Sequence, residues 1–324
     1  MVKKIGVGVV GLGRAAQDIH LPRLLRTPEI TLVGVTDVSE KRTKETAHRY
    51  NVKDYPDYVD LCEYKDIDAV FILTPPSAHY EVAEIACENR KHIFCEKPIA
   101  FNTEQGETMV KKASNAGIVL MVGYVMRFSP NMGLLKNMLP WLGSDLEAET
   151  ACLLPLPPDK ATFQYQRGLG GGALFEMGTH HVDLLRWFFG KGRPVDVDMK
   201  MREEVDVATS FSLRFDNGVT TRSEISWVSP VSQNSIHVQG KKGYVTTAFS
   251  VRTTERLVRF NLRNIFREAG EISISIRDSR DVYAREIGHF VNCVLKHQQP
   301  LISGGEALED LKLVSEIYSL WKLK

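Results

Sequence analysis

The stretch Glu176-Met177-Gly178-Thr179-His180-His181-Val182-Asp183 sets two imidazoles between two carboxylates. If it is helical, residues three and four apart share a face, so Glu176, His180 and Asp183 line one stripe and His181 is turned aside. An imidazole titrates near neutrality and can exchange a proton with a substrate hydroxyl at ordinary pH. His180 is therefore the candidate acid/base, with Glu176 and Asp183 as its neighbours. A lone histidine at a helix start is more commonly a structural hydrogen-bonder. The triple glycine Gly170-Gly171-Gly172 ahead and the carboxylates on either side favour chemistry here. Carboxylates and imidazoles also suit zinc or iron, but adjacent histidines on a helix diverge and no cysteine-rich loop assists, so no metal is expected.

A second group lies near the start. Gly11-Leu12-Gly13-Arg14-Ala15-Ala16 has the GxGxxA spacing of a dinucleotide loop. Gly11 permits the tight turn, Gly13 lets a pyrophosphate approach the backbone, and Ala16 lets the following helix pack closely. The free amides at that helix start face the phosphates. Asp37, at the end of the next apolar run, is placed to accept the adenosine ribose hydroxyls and to repel a 2′-phosphate, which favours NAD over NADP. Lys41 and Arg42 close by could neutralise such a phosphate. The plain alternative is a buried glycine turn with a helix-capping aspartate.

A third group is Glu96-Lys97-Pro98, which closes the apolar run His92–Cys95. Lysine is costly to bury, so one that ends a buried strand needs a partner or a task. A salt bridge with Glu96 is the simplest partner.

These groups need elements to position them. Through residue 123, continuous apolar runs (Ile5–Val10, Ile30–Val35, Ala69–Leu73, His92–Cys95, Val119–Val122) alternate with helical patterns at Ser39–Tyr50, Ser77–Asn89 and Thr103–Ala116. Continuous rather than alternating runs are expected of parallel strands covered on both faces. Ser77 is a candidate N-cap, and Asn102 with Gln105 has capping-box spacing. The order implies an α/β Rossmann dinucleotide-binding domain, a doubly wound parallel sheet, over residues 1–123. After Pro130 the pattern changes to successive strands at Leu146–Leu154, Val195–Met201, Val205–Phe215, Val219–Trp227, Ser235–Gln239 and Tyr244–Thr247. Asp216-Asn217-Gly218 and Gly240-Lys241-Lys242-Gly243 read as turns between them. Residues 124–324 thus form an α+β domain with a large, mainly antiparallel open sheet. One helix near Gly178–Phe189 interrupts it. Two more, Val282–His297 and Glu306–Leu323, follow the strands, and a C-terminal helix could return to the first domain.

The 324 residues include 41 Lys and Arg against 40 Asp and Glu, a net charge of +1, so no uniform field draws the chain to nucleic acid or an anionic membrane. With 43% apolar residues it can bury a sizeable core without staples. No apolar run approaches the ~20 residues of a membrane span, and the glycine-laced start is a buried strand rather than a signal peptide. Five cysteines, an odd number without a CxxC pair, fit a reducing cytoplasm.

Motifs along nearly the whole chain resemble the glucose–fructose oxidoreductase, inositol dehydrogenase and rhizopine-catabolism (Gfo/Idh/MocA) family. They are GVVGLGRAA at 8–16, TPPSAHYEVA at 74–83, CEKPIA at 95–100, GYVMRFSP at 123–130 and GGGALFEMGTHHVDLLRW at 170–187, with YAREIGHF at 283–290 and PLISGGEAL at 300–308. The resemblance implies that Lys97 lies between nicotinamide and substrate, where its charge favours a developing alkoxide. It also implies that Thr74, Pro75 and Pro76 form a loop under the nicotinamide ribose and that Pro98 follows an unusual peptide geometry. His79 either faces the cofactor or is a helix-start hydrogen-bonder. Arg127 is a candidate for holding substrate or cofactor, and Tyr165 and Arg167 for the substrate wall. The chain departs from the family in Glu176, where aspartate is usual, and in His181, where an aromatic residue is common. Val125, Met126 and Thr179 also replace commoner choices.

What the resemblance implies is reversible alcohol oxidation of a sugar, sugar acid or inositol-type polyol, with NAD or NADP as hydride carrier. The catalytic set is Lys97, His180, Glu176 and Asp183; Arg14, Ala15 and Glu96 join the cofactor contacts. Family members commonly associate through the antiparallel sheet, so a homodimer or homotetramer built on strands between Val195 and Thr247 is expected. The rivals are an NAD-retaining glycosidase of the same fold and a non-catalytic dinucleotide sensor. The presence of both Lys97 and His180 argues against the sensor.

Overall fold

The computed structural model describes residues 4–155, 162–249, 255–262, 271–277 and 281–323. It divides into two compact units. The first holds the residues up to Tyr124 together with Tyr283–Leu311, and the second Val125–Val282 with Lys312–Lys324. The segment Tyr283–Leu311 therefore returns to the first unit and is not part of the second.

In the first unit the strands are β1 (Ile5–Val10), β2 (Ile30–Thr36), β3 (Lys53–Asp54), β4 (Ala69–Ile72), β5 (His92–Cys95) and β6 (Leu120–Val122). They form one sheet in the order β3-β2-β1-β4-β5-β6, every pair parallel. Every residue of β1 and β4 is buried, as their unbroken apolar sequences require. The order reverses between β1 and β4, and the carboxyl ends of strands at such a switch point are where open α/β sheets take ligands. Phe71 stacks on Phe94 at 4.7 Å, and Phe290 from the returning segment stands edge-on to both.

Helix ends follow local chemistry. Ser39 caps Glu40–Tyr50 through the Arg42 N–H, and the Asn102 side chain caps Thr103–Ala116 through the Gln105 N–H. The capping box is only half made, since the Gln105 side-chain oxygen has no hydrogen-bond partner. Ser77 is not a cap. It lies inside a short 3₁₀ turn, Pro76–Ala78, and the helix His79–Glu88 starts after it.

The second unit is built on one sheet of eight strands: β7 (Glu147–Leu153), β8 (Gly192–Arg202), β9 (Val205–Phe215), β10 (Thr220–Ser226), β11 (Gln233–Gly240), β12 (Gly243–Ala248), β13 (Glu255–Leu262) and β14 (Ile272–Arg277). Their order is β14-β13-β12-β11-β7-β10-β9-β8. Only β7 with β10 is parallel; the other pairs are antiparallel. Beyond the expected strands the sheet gains β13 and β14. In β13 an arginine, Arg256, is buried with Val258 and Phe260 while Leu257 is exposed, so polar and apolar residues do not sort by face. A helix, Pro130–Met138, with proline at its first turn, packs on β12 and β13. Asn131 ties it down by donating to Thr247 Oγ1 at 2.8 Å and to the Ala248 carbonyl at 2.7 Å.

The helix carrying Glu176 and His180 is held at its start by a buried carboxylate. Asp206 Oδ2 accepts the Leu174 N–H and the Thr209 hydroxyl, each at 2.8 Å, while Oδ1 accepts the Tyr318 hydroxyl at 2.6 Å. Gly172, at φ +118°, passes so near that a Cβ would strike this carboxylate and the Tyr318 hydroxyl. Asp206→Ala leaves three donors without an acceptor and should cost about 2–5 kcal/mol. The thermal midpoint should fall by about 5 °C or more. A melt unchanged from the unmodified protein would show that the cluster contributes nothing to stability.

Candidate functional site

In the first unit the predicted nucleotide residues gather at the carboxyl edge of the sheet. Gly11 has φ +91°, and a Cβ there would stand 2.8 Å from the Leu73 carbonyl and the Thr74 nitrogen, so only glycine fits. Around Gly13, by contrast, nothing lies within 4 Å of where a Cβ would be. That is the open approach a pyrophosphate needs, and the residues present fit a dinucleotide. Leu12 and Ala16 are buried beneath it, and Arg14 is exposed and pairs with Asp18.

Asp37 is more occupied than expected. Its Oδ2 accepts the Leu12 N–H at 2.7 Å, and its Oδ1 accepts the Ser39 N–H and the Arg42 guanidinium, each at 2.8 Å. Arg42 Nε adds a longer bond to Oδ1 at 3.3 Å, so that oxygen is filled, while Oδ2 takes one donor and keeps one acceptor position for a ribose hydroxyl. The side chain is 6% exposed while that of Arg42 is 50% exposed, which makes Arg42 the solvent-facing member of the pair.

Behind this loop, Thr74 and Pro98 are joined through His79. The ring is fully buried, with Nδ1 2.9 Å from the Pro98 carbonyl and Nε2 2.9 Å from the Thr74 carbonyl. Burial holds its pKa below the usual histidine value, so a neutral ring donates to one of the two carbonyls. His79 is therefore a brace between loops and not a cofactor contact: both nitrogens already face backbone. Pro76 is buried in the turn that precedes it, after Pro75. The Lys97–Pro98 peptide is cis. Glu96 has a partner that sequence reasoning missed: His20 Nε2 lies 2.7 Å from Glu96 Oε1, and Glu96 Oε2 accepts the Lys97 N–H at 3.1 Å. Burial works to raise the Glu96 carboxyl, but His20 and Lys97 outweigh it and hold the group below the ordinary carboxylate range.

The second unit carries the other residues. Leu174–Gly178 is a π-turn, and an α-helix runs from Thr179 to Phe189. The single stripe expected for Glu176, His180 and Asp183 assumed α-helical phase throughout, and the extra residue of the π-turn breaks it. Glu176 and His180 are half-buried, whereas Asp183 is fully buried. Asp183 pairs with Arg127, Nη2 to Oδ1 2.8 Å, with side chains 2% and 0% exposed. The guanidinium also lies over the Trp187 ring. Arg127 and Asp183 bind each other inside the fold, and the pair ties the turn carrying Arg127 to the helix.

His181 points into the fold, as its phase requires. It is fully buried, and desolvation pushes its pKa down to about 4, only partly offset by the Asn234 side chain. Tyr165 is buried against Trp227, ring centroids 5.7 Å apart, and Arg167 lies over the Tyr318 ring. The two line a cavity of about 410 Å³ with Glu203 and Glu204. Among the described residues no group of three or more His, Cys, Asp or Glu could hold a metal ion, and no helix is long and apolar enough to cross a membrane.

Residues 5–124 match the NAD-binding Rossmann model of the GFO/IDH/MocA oxidoreductases, and residues 141–246 match a C-terminal domain model of the same family. Curated relatives align along nearly the full chain. The myo-inositol 2-dehydrogenase of Thermotoga maritima is 27% identical over 92% of this chain and 90% of its own length. The scyllo-inositol 2-dehydrogenase (NAD⁺) of Bacillus subtilis is 24% identical over 97% and 93%. Among solved structures, an aldose-aldose oxidoreductase from Caulobacter crescentus superposes with a TM-score of 0.88, at 24% identity over 99% of this chain and 98% of that one. A 3-ketoreductase from Actinomadura kijaniata, solved with NADP, gives 0.89 at 22% identity over 98% of each chain. Two domains matched by one family, a loop shaped for a dinucleotide and relatives that are dehydrogenases lead to one conclusion: the chain is an NAD(P)-dependent oxidoreductase of the GFO/IDH/MocA family.

Proposed function

We propose that the protein oxidises a hydroxyl-bearing carbon of a sugar, sugar acid or inositol-type polyol, or reduces the matching ketone. The observation that carries this reading is His180. It is half-buried, whereas His181 and Asp183 on the same helix are fully buried. A histidine left accessible beside two buried neighbours is the one able to exchange a proton with a ligand.

A bound nicotinamide dinucleotide supplies the hydride acceptor or donor. The amides of residues 13–16 would hold its phosphates, since those of Gly11 and Leu12 already go to Thr36 and Asp37, and Thr74 with Pro75 would shape the loop under the nicotinamide ribose. His180 takes the proton of the reacting hydroxyl, and Lys97 favours the negative oxygen left behind. Glu176, partly exposed on the preceding turn, accepts from neighbouring substrate hydroxyls, and Tyr165 contributes to the substrate wall. The similarity to inositol dehydrogenases supports a polyhydroxylated substrate. Five buried cysteines, none joined in a disulfide, support a reducing compartment such as the cytoplasm.

NAD is the proposed partner of choice, because the Asp37 carboxylate repels a 2′-phosphate. In fluorescence titrations NADH should bind more tightly than NADPH. Asp37→Ala should weaken NADH and narrow the difference, whereas Arg42→Ala should weaken only NADPH. Equal affinities in the unmodified protein would remove Asp37 from this role.

The polar face of the second sheet, with Arg222, Glu224 and His237 on its shallow concavity, is the proposed surface of a homodimer or homotetramer. Light scattering at micromolar concentration should give at least twice the monomer mass, and a monomer would defeat the proposal.

The chemistry is tested by following nicotinamide absorbance with sugars and polyols in both directions. His180→Ala and Lys97→Ala should each lower kcat by about 10²–10⁴-fold while NADH still binds. The limb of the pH profile near neutrality should vanish in His180→Ala. His181→Asn should leave kcat nearly unchanged but alter stability. In the folded state His181 protonates near 4, below its value in the unfolded chain, so stability is present above about pH 6.5 and is lost as pH falls toward 4. That loss should shrink in His181→Asn. If His181→Asn instead lowers kcat more than His180→Ala does, His180 is not the base.

A further inference from the structure

We infer that His20 is a positioning residue: its Nε2 holds the Glu96 carboxylate against the backbone of Lys97 and so fixes where the charge of that lysine stands. The inference rests on the reading of Lys97 as the group that stabilises the substrate oxygen.

His20 has no exposed surface. Its ring sits among Phe94 at 5.4 Å and Phe71 and Tyr283 at 6.2 Å, all edge-on. Phe71 and Phe94 belong to the core, and an apolar side chain would fill this space without desolvating any polar atom. Indeed Nδ1 has no hydrogen-bond partner. Packing therefore does not account for an imidazole here; its use lies in the one nitrogen that is engaged. A carboxylate only accepts, so Nε2 carries the proton and donates it to Glu96 Oε1 over 2.7 Å.

The backbone is shaped for this contact. Ala16–His20 is a π-turn within the helix that follows the glycine loop, and it ends at His20. The extra residue in such a turn re-aims the side chains around it, and π-turns concentrate at functional sites. On the other side Gly123 lies close by: a Cβ there would be in ordinary contact with Glu96 Oε2 at 3.5 Å and would press on the Phe94 ring at 3.2 Å. Besides His20, the titratable groups that interact with Glu96 are Lys97, His79 and Cys95. His20 makes a side-chain hydrogen bond to the carboxylate. It couples the helix of the nucleotide loop to the strand end that carries the lysine.

Without that donor the part-buried carboxyl should keep its proton to higher pH and lose its orientation, and the charge beside Lys97 should change with it. The first readout is independent of activity: the carboxyl ¹³C titration of Glu96 in cofactor-free protein labelled with ¹³C-glutamate, assigned with Glu96→Gln. His20→Leu should raise the Glu96 midpoint by about one unit or more, and His20→Gln, which keeps a donor, should restore it. The second readout is kinetic. His20→Leu should lower kcat about tenfold or more with KM and NADH affinity nearly unchanged, and His20→Gln should recover most of it. Should His20→Leu fail to fold, His20→Asn, whose shorter amide does not reach Glu96, replaces it against His20→Gln. An unmoved Glu96 midpoint overturns the inference, as does a moved midpoint with unchanged kcat. Full kcat in Lys97→Ala overturns instead the reading on which it rests, whatever His20 does.

Discussion

At Gly11 the backbone runs against the Leu73–Thr74 peptide with no room for a side chain between them. The same residue donates its N–H to the Thr36 carbonyl at 2.9 Å, and the next N–H goes to Asp37. The ends of β1, β2 and β4 therefore meet at one point, and that contact determines what the nucleotide half can do. It turns the chain sharply enough for Gly13 to stand clear with open space beside it. It aims the following helix, with its free amides, along the edge of the sheet. It also determines where the π-turn begins, and so where His20 comes to rest against Glu96. Any side chain at residue 11 would push these three strand ends apart before it touched a ligand.

Charge is used in the two units in the same manner. Most of the buried carboxylates near the candidate residues do not await substrate; they accept from the protein's own donors. Asp37 holds the glycine loop, Asp206 holds the start of the helix with His180, and Asp183 is matched to Arg127. A buried ion pair is weak evidence for stability, because desolvation offsets much of the attraction. Its effect here is geometric: Arg127, in the turn before the helix Pro130–Met138, and Asp183, in the helix Thr179–Phe189, become one rigid body. Glu176, by contrast, keeps part of its surface exposed.

Features dictated by local sterics or by periodicity were legible in the sequence. The glycine loop, the parallel runs, the cap at Asn102 and the turning of His181 away from His180 follow from residue type and spacing alone. Other features depend on partners distant in the chain. His20 carries no signal of its own, since Glu96 stands 76 residues away. Nor does the pairing of Arg127 with Asp183, two residues that each look free to serve a ligand. β13 was hidden because Arg256 points inward and Leu257 outward, which inverts the usual code. The phase of Glu176 was misjudged because nothing in Leu174–Gly178 marks a π-turn rather than an α-turn.

The two π-turns have a consequence for chain length. Each, Ala16–His20 and Leu174–Gly178, holds one residue more than an α-helix needs, so each is in effect an insertion accommodated without breaking the helix. Deleting that residue would restore ordinary helical pairing and would rotate everything on one side of it by about 100°. The helix would survive and the fold could follow, yet His20 would leave Glu96, or His180 would exchange its outlook with a neighbour. In these two helices the count of residues, as much as their identity, carries the chemistry.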